Sequence, residues 1–173
     1  MDLLGMPYET CPSAIDEKAI RDPDPAALTK KLAEAKAWKV AEDFPEAIIV
    51  AGDAVVAMGG KIYEKPRDLD EAHTFLRELS AHTLSFVTSL VVLRTDTRRM
   101  LSTVETSQLR FRALSERELR DYIARYPVTR FAGGFDGDGV LRFAESFSGS
   151  FNFITALPVS RLAIFLREQG ADI

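Results

Sequence analysis

The run Ile48-Ile49-Val50-Ala51-Gly52-Asp53-Ala54-Val55-Val56-Ala57-Met58, closed by Gly59-Gly60, constrains the fold more than any other stretch of the chain. Its opening apolar residues, Ile48 to Val50, read as a strand buried on both faces. Gly52 is expected to end that strand, which leaves Asp53 at its carboxyl end and starts a second run at Ala54. Gly59 and Gly60 can take the positive φ angles of a tight turn into Lys61-Ile62-Tyr63, which returns the chain to Glu64, Lys65 and Pro66. An acid and a lysine gathered at one end of a sheet make a place to hold a metal and a polyphosphate.

With 173 residues and 46% hydrophobic composition, the chain can bury an ordinary core, and a single domain over 1–173 is expected. The 22 Lys and Arg against 26 Asp and Glu give a net charge of -4, which argues against a nucleic-acid polymer as partner. Cys11 is the one cysteine, so no internal disulfide forms. Neither a basic-then-apolar leader nor a spanning apolar run is present, so a soluble, cytoplasmic protein without a membrane partner is expected.

The remaining elements follow from local signals. Leu3-Leu4-Gly5 reads as a helix end with a glycine cap, and Asp16-Glu17 as an acidic turn. Asp24-Pro25 is an N-cap and first-turn proline for a helix reaching about Asp43, with Leu28, Leu32 and Ala35 as its buried stripe. Lys36 borders that stripe and either reaches into a cleft or snorkels to solvent. Asp68 with Glu71, and Ser115 with Glu118, are capping pairs that open two further helices; the second is ended by Pro127. Thr83–Arg94 and Met100–Phe111 should be long paired strands. Val140–Phe143 reads as a short strand, 146–158 as a loop, and a last helix carries Leu162, Phe165 and Leu166 before a Gly170 cap.

This order predicts an α/β fold: a mixed, largely antiparallel central sheet with flanking helices, in two lobes around a cleft. His73, His82 and Cys11 cannot build a usual structural zinc site. There is no phosphate loop of the Gly-x-x-x-x-Gly-Lys type, no Gly-x-Ser-x-Gly elbow and no dinucleotide fingerprint. Asp136 and Asp138 sit in a Gly-rich loop but lack the further ligands of an EF-hand. What is left is Asp16, Glu17 and Asp53, the lysines Lys36 and Lys65, and the loop from Thr129 to Gly139, an inventory suited to metal-assisted phosphate chemistry.

Taken in order, GMPYE, IDE, LAEAKA, IIVAGDAVV, KIYEKP, EAHTFLRELS, ETSQLRF, LSERELRDYI, AGGFDGDG and SGSFNFITALP resemble the Maf family of nucleoside triphosphate pyrophosphatases, relatives of the inosine triphosphate pyrophosphatase fold. The resemblance covers nearly the whole chain. It implies a homodimer and hydrolysis of a nucleoside triphosphate to the monophosphate and pyrophosphate with Mg²⁺ or Mn²⁺. By position it implies Asp53, Lys65 and Lys36 as catalytic residues and Asp16, Glu17 and Asp53 as metal ligands. Ala54, Arg130, Gly133 and Asp138 fall on its substrate-binding positions.

Several of those positions depart from the family pattern. Asp53 is followed by Ala54 where the family has Thr, Arg130-Phe131-Ala132-Gly133 replaces Asp-Lys-Ala-Gly, and Asp138 replaces a Gln. Met1 aligns with the end of the helix that follows the family's first strand and its Ser-x-Ser-Pro-Arg-Arg loop, so both are expected to be lacking here, or to lie upstream where Met1 is an internal methionine. A charge-assisted contact contributes about 1.5–3 kcal/mol, so such changes weaken polyphosphate binding. Two readings stand: a Maf-like pyrophosphatase, and a catalytically impaired Maf-like protein acting as a nucleotide-binding or regulatory module.

Overall fold

A computed structural model describes residues 4–173. Its fold is mixed α/β, with a five-stranded antiparallel sheet flanked by helices. The elements are helix α1 (Pro25–Ala41), strands β1 (Ile48–Met58) and β2 (Lys61–Tyr63), helix α2 (Leu69–Leu79), strands β3 (Thr83–Arg94) and β4 (Arg99–Phe111), helix α3 (Glu116–Arg125), strand β5 (Ala144–Ser148), and helices α4 (Asn152–Thr155) and α5 (Val159–Glu168). The sheet order is β2-β1-β3-β4-β5. Met58 stands opposite Lys61, and Gly59 and Gly60, at φ 58° and 80°, make the two-residue turn expected between them.

Two compact units divide the chain. One comprises residues up to Asp53 together with Ser89–Val104 and Leu157–Ile173; the other comprises Ala54–Thr88 and Glu105–Ala156. In the first unit, strand alternation sends successive residues to opposite faces. Ile49, Val91 and Leu93 pack with Ala33 and Ala37 of α1, whereas Leu90 and Val92 pack with Leu162 and Leu166 of α5. The second unit buries Val56, Leu76, Leu109, Phe111, Leu119 and Phe143 among others in one cluster with α2 and α3.

The caps fall where expected. Asp24 and Asp68 accept from the backbone N–H groups of Ala26 and Glu71, and Ser115 with Glu118 forms a full capping box. Gly5 has the positive φ of a helix-capping glycine, while Leu3 lies outside the described residues.

Four expectations are corrected. β1 does not stop at Gly52 but runs unbroken to Met58, so Asp53 lies within a strand and not at its end. A Cβ at position 52 would lie 2.8 Å from the Ser89 carbonyl oxygen, so the glycine serves close strand packing instead of a turn. Val140–Phe143 is not a strand: Gly139–Arg142 forms a 3-10 turn, which lays Val140 and Phe143, three apart, on one buried side. The strand comes next, at Ala144–Ser148, and the expected 146–158 loop also contains α4. Finally, the buried stripe of α1 keeps Leu28 and Leu32 but runs on through Ala33 and Ala37 and leaves Ala35 half-buried.

Candidate active site

Parity along β1 decides which way Asp53 faces. Ile49 and Ala51 point to α1, and Asp53, two residues further, keeps that face. On α1, Thr29, Ala33 and Lys36 share a side at helical spacing. Lys36 Nζ therefore meets Asp53 Oδ1 at 2.7 Å and, on its other side, Glu17 Oε1 at 2.9 Å. The side chains of Lys36 and Asp53 are only 17% and 11% exposed, and Glu17, at 45%, is the more open arm. Lys36 does not snorkel to solvent but turns its ammonium to Asp53 and Glu17.

Burial alone would lower the pKa of the Lys36 ammonium. Hydrogen bonds and charge from Asp53, and then from Glu17, outweigh burial and shift it upward, so the lysine stays charged at neutral pH. The main chain of Asp53 is also fixed. Its N–H donates to Ser89 Oγ at 3.2 Å, and that hydroxyl donates to the Thr29 carbonyl of α1 at 2.7 Å. Sequence reasoning missed Ser89; its signal was the polar pair Thr88-Ser89 inside the apolar run of β3.

The remaining residues occupy two places. Asp16 is exposed, and its Oδ1 accepts from the Lys18 N–H at 3.0 Å, capping a 3-10 turn over Glu17–Ala19. That turn is what aims Glu17 at α1. Ala54, Lys65, Arg130, Gly133 and Asp138 belong to the second unit. There Gly133, at φ 69°, donates its N–H to the Glu64 carbonyl at 3.1 Å, which ties the Gly-rich loop to the residue before Lys65. Ala54 packs against the core cluster, while Lys65, Arg130 and Asp138 are exposed. In this loop the positions that a Cβ would take at Gly133, Gly137 and Gly139 are filled by the chain's own atoms, those of Val56, Ile154 and Tyr122 among them.

Among the described residues no group of three His, Cys, Asp or Glu side chains could hold a metal ion by itself. The donor set of Asp53 and Glu17 nonetheless fits Mg²⁺ or Mn²⁺. Both are hard oxygen donors, they already share one cation in the Lys36 ammonium, and Mg²⁺ is commonly held by one or two carboxylates with substrate phosphates completing its shell.

The sequence matches the family described as Maf-like protein over residues 1–169. The chain belongs to the Maf family. Among relatives of this Maf family member, a 7-methyl-GTP pyrophosphatase of Nitrosococcus oceani is 32% identical over 98% of this chain and 86% of its own length. A dTTP/UTP pyrophosphatase of Syntrophomonas wolfei is 31% identical over 100% of this chain and 92% of its own. A dTTP/UTP pyrophosphatase of Deinococcus radiodurans is 34% identical over 98% and 86%. By these names the relatives are nucleoside triphosphate pyrophosphatases, hydrolases acting on acid anhydrides. Among the described residues no helix is long and apolar enough to cross a membrane.

Proposed function

We propose that this chain is a nucleotide pyrophosphatase that hydrolyses a nucleoside triphosphate to the monophosphate and pyrophosphate with Mg²⁺ or Mn²⁺. The observation that carries the reading is the pair of carboxylates, Asp53 and Glu17, held on one ammonium by α1. It stands in a chain whose relatives are named for this reaction class. Asp53 and Glu17 would hold the ion, which supplies Lewis-acid stabilisation of phosphate charge. Asp53, fixed through Ser89, orients the attacking water and accepts its proton. Lys36 neutralises charge on the phosphates, and Lys65, an exposed ammonium, contributes a second cation.

Substrate choice rests on the second unit. Ala54 offers no hydroxyl, and Asp138 presents an exposed carboxylate able to accept from a base amino group. The test is pyrophosphate release from dTTP, UTP, 7-methyl-GTP and the ordinary nucleotides, with Mg²⁺ and with Mn²⁺. Turnover of at least one of them is expected. Silence across the panel sinks the enzyme and leaves the nucleotide-binding or regulatory module.

A further inference from the structure

We infer that Lys36 is an exchangeable occupant of the metal position: the two carboxylates hold its ammonium until a divalent cation displaces it, and the displaced ammonium is then available to the substrate. The inference rests on the metal-assisted reading above and adds an order of events to it.

The geometry supplies the argument. One ammonium bridges both carboxylates, at 2.7 Å from Asp53 and 2.9 Å from Glu17. Asp53 is almost entirely shielded from water, so its charge needs a positive partner at all times, because an uncompensated buried carboxylate is strongly unfavourable. One ammonium satisfies this need, but a divalent cation satisfies it better, since two carboxylates together carry two negative charges. The ammonium and the divalent ion cannot occupy the same space, and their like charges repel.

The fold also lets Lys36 leave. Its backbone is fixed in α1 between the buried Ala33 and Ala37, whereas the ammonium rides on a flexible four-carbon stem. Rotation of that stem moves the charge without moving the helix. Glu17, the half-exposed arm in its short 3-10 turn, is the side from which the pair opens. No proton is transferred in the exchange: Lys36 keeps its charge and gains phosphate oxygens in place of carboxylate oxygens. Metal and substrate binding are thereby coupled through one side chain.

The test is calorimetric titration of the full chain with MnCl₂ in the absence of nucleotide. Removing the competitor in Lys36→Met should tighten Mn²⁺ binding by about tenfold or more, a change of about 1.4 kcal/mol. Lys36→Arg, which keeps a cation on the carboxylates, should not tighten it. A thermal melt gives a second readout: Lys36→Met should melt lower than wild type without metal and gain more from Mn²⁺. Equal or weaker Mn²⁺ binding by a folded Lys36→Met overturns the exchange, as does equal tightening in Lys36→Arg. Both outcomes leave the pyrophosphatase reading intact, because that reading is judged by pyrophosphate release from the wild-type protein. Absence of Mn²⁺ binding in every variant without nucleotide overturns the exchange alone, because in the metal-assisted reading substrate phosphates complete the ion's shell.

Discussion

Gly52 lies so close to Ser89 that a Cβ on it would stand 2.8 Å from the Ser89 carbonyl oxygen. The same methyl would also run into Leu157 Cδ2, but the tip of a leucine can turn aside, whereas a strand carbonyl cannot. Gly52→Ala therefore pushes β1 from β3 next to the residue that carries the candidate chemistry. We expect a loss of about 1–3 kcal/mol in urea unfolding. Pyrophosphate release should fall further than stability alone explains, because the Asp53 N–H would be drawn from Ser89 Oγ.

Asp53→Asn keeps the shape of the side chain and removes its charge. Lys36 retains Glu17 as partner, so the fold should persist with a small shift in melting temperature. Loss of a positioned base costs about 10²–10⁴-fold in rate. Full turnover by a folded Asp53→Asn protein would remove Asp53 from the mechanism.

Lys65 is exposed, and truncating it should leave stability within about 0.5 kcal/mol of wild type. If its ammonium meets a phosphate, Lys65→Ala forfeits about 1.5–3 kcal/mol of a charge-assisted contact, roughly ten- to hundredfold in kcat/KM. Unchanged kinetics would take Lys65 out of the substrate's reach.

The parts legible in the sequence were those set by neighbours along the chain. The capping box at Ser115, the Asp24-Pro25 helix start and the Gly59-Gly60 hairpin each depend on residues within a few positions, and local rules fix them. Asp53 and Lys36 were both recognisable as candidates. Their contact was not, because it depends on which face of β1 meets which side of α1. Gly52 misled for the same reason: a glycine needed for close approach looks, in sequence, like a glycine that ends a strand. At Val140–Phe143 the apolar residues suggested a strand, and the deciding contacts were hydrogen bonds from the N–H groups of Gly139 and Val140 to Asp136, which curl the segment.

Glu118 ties pH to stability. Arg112 beside it, and then the Ser115 backbone and hydroxyl, hold its carboxyl at about 2, below the ordinary 4.5. A depressed carboxyl stabilises the fold fully above its unfolded value and loses that contribution as pH falls through the folded one. The loss should therefore run from about pH 4.5 down to about 2. Glu118→Gln should melt lower than wild type at pH 7, and the gap should narrow across that window in melts taken at successive pH values. A constant gap would show that the carboxyl is not held down in solution.

Asn152 holds the second unit's buried polar network together. Its Nδ2 donates to Thr88 Oγ1 at 2.7 Å and to the Glu105 carbonyl at 3.2 Å, and its Oδ1 meets the Ser107 hydroxyl. The side chain is 1% exposed, so water cannot replace these bonds without entering the core. Asn152→Ala takes one hydrogen bond from each of the Thr88 and Ser107 hydroxyls, which keep the Glu105 carbonyl at 3.4 Å and the Ser150 carbonyl at 2.7 Å, and each bond so lost costs about 0.5–1.5 kcal/mol. Thr88 is on β3, Ser107 on β4 and Asn152 on α4, so the loss falls on the packing of the helix against two neighbouring strands. Urea unfolding of Asn152→Ala should show a lower midpoint. The triple change Thr88→Val, Ser107→Ala, Asn152→Leu, which replaces both hydroxyls and the amide by apolar groups, should recover part of the stability. An Asn152→Ala protein as stable as wild type would mean that the network is satisfied by water in solution.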